Sequence, residues 1–151
     1  MTGQGSRHRT EIDPRWQDIE VIERLVHESR TVAVLGLSAD PHRPSHGVAR
    51  YLRSSGLTIL PVNPGLTSWE GLRAYPSLDA LPEAPDIVDV FRRPEFTVEI
   101  AKQAVAIGAG ALWLQLGVIN EEAARIAADA GLDVVMDRCL AVEHREVVGW
   151  S

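Results

Sequence analysis

The sequence predicts a three-layer α/β/α domain built on a mostly parallel sheet. Two observations carry that prediction. Five short runs, "TVAVLGL", "LTILPV", "DIVDVF", "ALWLQL" and "LDVVMD", have strand length and are almost wholly apolar, as in strands covered on both faces. Helical stretches alternate with the strands, which implies parallel pairing through right-handed crossovers.

The elements follow in order. Residues 1–15 are polar and read as a flexible arm, leaving one domain over 16–151. In "DIEVIERLVHES", Val21, Ile22, Leu25 and Val26 share one helical face. The first strand runs into Gly36. "HGVARYLRSSG" is predicted as a helix, with Val48, Tyr51 and Leu52 on one face and Gly56 as its stop. "NPG" ends the second strand. "TSWEGLRAYPSLDALPEAP" is loop-rich, with room for one short strand or helical turn. In "PEFTVEIAKQAVAIG", Pro94 suits a first helical position, and Ala101, Ala104, Val105 and Gly108 keep helical spacing. "NEEAARIAADAG" has Asn120 as cap, acidic residues in its first turn and Gly131 as terminator. "CLAVEHREVVGW" closes the chain. The whole reads as a Rossmann-like domain.

Composition narrows the function. A chain of 151 residues that is 45% hydrophobic buries a core without staples. The single cysteine, Cys139, excludes an internal disulfide framework and fits a reducing, cytoplasmic setting. The polar start lacks an apolar signal core, and "GAGALWLQLGVI" falls short of the roughly 18 residues of a membrane span. A net charge of −6 argues against general affinity for nucleic acid, so the placement of the arginines matters more than their number.

In open parallel sheets, ligands bind beyond the carboxyl ends of the strands. After the first strand, Gly36 permits a sharp turn and close approach of a ligand. Ser38 offers a hydroxyl, and Arg43 a planar fork for phosphate oxygens. Ser45, His46 and Gly47 fall at a helix N-terminus, which favours an anion. An NAD site would need compact three-glycine spacing and a carboxylate ending the second strand. This loop is longer and holds Pro41 and Pro44, and the second strand ends "PVNPG". An NAD(P)-dependent oxidoreductase is therefore the alternative reading. His42 and His46 have i, i+4 spacing, but Pro44 lies between them and no third ligand is near, so no metal is expected. Arg92 and Arg93, at a strand end beside a helix start, favour anion contact. Cys139, next to Arg138, is open to two readings: a reactive thiol or a small buried residue.

Taken in order, "GLSADPHRPSHGVARYL", "ILPVNPG", "DIVDVFRRPE", "WLQLGVINEEAARIAADAG" and "VVMDRCLAVEHR" resemble the small stand-alone CoA-binding proteins. Their fold is similar to the N-terminal CoA-binding domain of the succinyl-CoA synthetase alpha subunit. The resemblance implies coenzyme A as cofactor. By position, Gly36, Ser38, Arg43 and Ser45 would hold the diphosphate, and Val62, Asn63 and Pro64 would border the adenosine. Phe91, Arg92 and Arg93 would line the next strand end. Gln115 and Gly117 would face the pantetheine, and Arg138 and Cys139 would lie at the final strand end. The synthetase-type lysine is replaced by "VNP", and the domain with the phosphorylated histidine is absent. The expectation is thus a module that binds CoA or an acyl-CoA without catalysis of its own, the further alternative being a CoA-responsive regulatory or scaffold protein.

Overall fold

The computed structural model describes residues 11–149. A five-stranded sheet in the order β2-β1-β5-β6-β7 forms its middle layer, and every pairing in it is parallel. The strands are β1 (Thr31–Leu35), β2 (Thr58–Val62), β5 (Ile87–Val90), β6 (Ala111–Leu114) and β7 (Asp133–Met136). A separate hairpin pairs β3 (Ser68–Trp69) with β4 (Leu72–Arg73).

The period of two along each strand divides the core. Val32 and Val34 of β1 face one side, where α1 (Ile19–Glu28), α2 (Pro44–Ser54) and α5 (Leu140–Val148) pack. Ala33 and Leu35 face the other, beneath α3 (Thr97–Ala106) and α4 (Glu121–Asp129). Strands buried on both faces explain why their sequences do not alternate. As expected, Asn120 caps α4, its side chain accepting the Ala123 N–H.

Four details differ from or extend the sequence reading. First, α2 begins at Pro44, two residues before the expected start, because proline at the first helical position carries a helical φ and gives up no needed N–H. Second, Pro94 opens a 3-10 turn, Pro94–Phe96, and the α-helix starts at Thr97. Third, the loop-rich stretch holds more than one short element. Besides the hairpin it has a 3-10 turn, Leu78–Ala80. The hairpin turns on Glu70 and Gly71, with φ of 49° and 81°, the left-handed pair that a two-residue loop requires. Fourth, residues 1–10 of the expected arm lie outside the described residues, but from Ile12 the chain packs on the domain. Ile12 packs on the core, and a 3-10 turn, Pro14–Gln17, buries Trp16. The Trp16 indole N–H donates to the Glu121 carboxylate at 3.0 Å, and Gln17 donates its amide to the Met136 carbonyl at 3.0 Å. Among the described residues no helix is long and apolar enough to cross a membrane.

Candidate functional site

The chain leaves β1 toward β2 on one side and returns as β5 on the other, so the strand order reverses between β1 and β5. Crevices open at such a reversal. Gly36 ends β1 there with φ +86°. A Cβ on it would stand 2.5 Å from the Phe91 carbonyl oxygen, so only glycine fits.

A cavity of about 390 Å³ opens over this point. Gly36, Ser38, Arg43 and Ser45 form one end of its wall. Phe91 follows at the end of β5, then Gln115 at the end of β6 and Cys139 beyond β7. Those seven residues were expected from sequence. Pro44, Val48, Leu116 and Val118 also line the cavity and were not. They give it an apolar surface, and Leu116 stands 64% exposed at its rim.

Internal hydrogen bonds hold the first loop in place. The Ser38 N–H donates to Ser45 Oγ at 3.0 Å, and Ser38 Oγ accepts the Asp40 N–H at 3.0 Å. The Ser38 carbonyl accepts the Trp69 indole N–H at 3.2 Å. Arg43 is the N-cap residue of α2, and its exposed side chain, which carries donors only, lines the cavity.

The other expected residues lie elsewhere. His46 is buried against Trp69, ring centroids 5.1 Å apart, with Nε2 3.5 Å from a Glu70 carboxylate oxygen. His42 pairs with Asp40 at 3.2 Å, so the two histidines face different partners. Gly47 is exposed on α2, and Val62 is fully buried in the core. Asn63 holds the chain: its amide donates to the Leu37 carbonyl at 2.9 Å and its oxygen accepts the Gly65 N–H at 2.8 Å. Pro64 and Arg92 line a second hollow of about 270 Å³, together with Leu35 and Phe96. The Arg92 guanidinium lies 4.6 Å from the Phe96 ring centre, and that of Arg93 lies 5.4 Å away. Arg93 also pairs with Glu95 at 3.5 Å. The Gly117 N–H donates to Asp137 at 2.7 Å. Arg138 reaches Gln17 at 3.3 Å and Glu143 at 3.9 Å, while its carbonyl accepts the Trp113 indole N–H at 2.8 Å.

Sequence reasoning also missed Asp89. It lies within β5, fully buried, between Val34 of β1 and Trp113 of β6. Its Oδ1 accepts the Gln115 side-chain amide at 2.6 Å, and its Oδ2 has no partner among the described residues. Burial pushes its pKa up to about 7. The signal was visible: an acidic residue inside an apolar strand covered on both faces.

A parallel sheet with a glycine turn at its switch point, an arginine beside it and a hollow across the strand ends defines a Rossmann-like ligand-binding domain. The chain belongs to the CoA binding domain family, whose model matches residues 30–145. It is 37% identical over 123 residues to protein YneT of Bacillus subtilis (strain 168), covering 82% of this chain and 91% of that protein. A solved structure from Thermus thermophilus is 40% identical with a TM-score of 0.81, covering 86% of this chain and 98% of that one. A hypothetical protein from Pyrococcus horikoshii OT3 is 33% identical with a TM-score of 0.86, covering 93% and 99%.

Proposed function

We propose that the chain binds coenzyme A or an acyl-CoA at the carboxyl ends of its parallel strands, as a binding module with no chemistry of its own. Family membership supports the ligand class. The observation that carries the reading is one cavity joining two chemistries. Ser38, Arg43 and Ser45 suit a diphosphate, and the apolar wall of Phe91, Leu116 and Val118 suits a pantetheine arm. The neighbouring hollow at Pro64, Arg92 and Phe96 would take the adenosine, with the arginine near the ring plane and the 3′-phosphate. The end of β2 favours this ligand over NAD. A dinucleotide ribose would need a carboxylate there, whereas Asn63 stands in that place with its side chain already bonded to Leu37 and Gly65. A cytoplasmic setting is part of the reading, supported by the single Cys139.

The test is thermal shift with CoA, acetyl-CoA, NAD and NADP at equal concentration, joined to native mass spectrometry of gently purified protein. A ligand that binds only the folded state raises its melting temperature. CoA or acetyl-CoA should raise it most. A larger shift with NAD or NADP would replace this reading with the oxidoreductase.

A further inference from the structure

We infer that Asp89 is a positioning residue: it turns the Gln115 amide so that the Gln115 carbonyl faces the cavity as a hydrogen-bond acceptor for an amide N–H of the ligand's arm. This rests on the CoA reading above and names what the middle of the cavity recognises.

The geometry starts from the buried pair. Gln115 is 4% exposed and lines the cavity, so what little surface it shows belongs there. Its Nε2 donates to Asp89 Oδ1 at 2.6 Å, inside the sheet layer. That acceptor serves whether or not the carboxyl carries a proton on Oδ2, because Oδ1 keeps its lone pairs in both forms. The donor half of the amide is therefore committed to the protein. Gln115 Oε1 makes no hydrogen bond among the described residues and is not one of the sealed, unpartnered buried atoms. The cavity is thus offered an acceptor. Around it the wall is apolar, with Phe91, Leu116 and Val118.

Distance selects the partner group. Gln115 ends β6, which lies two strands from β1 and its glycine turn. Neighbouring strands are about 4.8 Å apart, so the acceptor lies on the order of 10 Å from the phosphate end. A pantetheine arm crossing in single file has two secondary amides between its phosphate and its thiol. An amide N–H, not the thiol, falls over β6, and the thiol continues toward Cys139 beyond β7. A nucleotide without such an arm has nothing to donate there.

The experiment is calorimetric titration with CoA and with adenosine 3′,5′-bisphosphate, which has no arm. The proteins are wild type, Asp89→Val, Gln115→Met and the double variant. The readout is the ratio of CoA affinity to bisphosphate affinity. Asp89→Val removes a buried carboxyl with one unpartnered oxygen and keeps a strand-compatible shape, at the cost of the partner of the Gln115 amide, so thermal melts verify folding before the affinities are compared. Each single variant should lower the ratio by about 3–10-fold, the range of one lost neutral hydrogen bond. The double variant should lower it no further than Gln115→Met alone, because Asp89 acts through Gln115. An unchanged ratio in Asp89→Val, or additive losses in the double variant, overturns the inference while the CoA reading stands. Failure of wild type to bind CoA overturns both.

Discussion

A Cβ atom at Gly36 would stand 2.5 Å from the carbonyl oxygen of Phe91, closer than a real Cβ comes to a non-bonded atom. The ends of β1 and β5 thus meet backbone to backbone at the floor of the cavity. Gly36→Ala should destabilise the protein by about 2–4 kcal/mol, combining the left-handed φ with the clash. Urea denaturation measures this; a cost under 0.5 kcal/mol would mean that the strands part easily.

Arg43→Ala should weaken CoA binding by about 1.5–3 kcal/mol, the range of a charge-assisted contact to phosphate. The melting temperature should scarcely move, since the side chain is exposed and makes no capping bond. Equal affinity by calorimetry would assign the phosphates to another group.

Five strands were legible because their apolar runs are self-contained. The β3–β4 hairpin was not, because two-residue strands are too short to show a period. Trp69 finds its partner at the Ser38 carbonyl, 31 residues away, and nothing local announces that bond. Part of the cavity wall was legible as well. Glycine and arginine after a strand mark a loop that can meet an anion. The same reading cannot tell which way a side chain turns, and so Val62 lies in the core, while Asn63 and Arg138 hold backbone and neighbouring side chains. Leu116 and Val118 went unnoticed because an apolar residue at a strand end looks like core.

Asp89 should make stability fall as pH rises. Its folded pKa of about 7 lies above the ordinary value of 3.8, so the folded state holds more protons between those values. Its contribution is fully present below about pH 4 and is lost as pH rises through 7. Asp89→Asn should gain on wild type by a few kcal/mol at most between pH 5 and pH 8, at about 1.4 kcal/mol per pK unit. Denaturant melts at the two pH values give the difference; parallel pH dependence in the two proteins would contradict it.

Cys139 is partly buried and lines the cavity beyond β7. If the arm ends there, saturating CoA should slow alkylation of Cys139 by iodoacetamide, read by intact mass. Adenosine 3′,5′-bisphosphate should protect less. Cys139→Ser should bind CoA nearly as wild type does. Equal protection by the two ligands would place the end of the arm elsewhere.

The position of the N-terminal segment sets an order of events in synthesis. Trp16 is bonded to Glu121, 105 residues later, and Gln17 to Met136, 119 residues later. The central strand β1 takes β5 as a neighbour some 55 residues on. A chain emerging from the ribosome presents α1, Trp16 and one edge of β1 long before their partners exist. Contacts so distant in sequence slow folding and leave apolar surface and strand edges uncovered in the meantime. The segment before β1 therefore completes its packing only after α4 and β7 have left the tunnel.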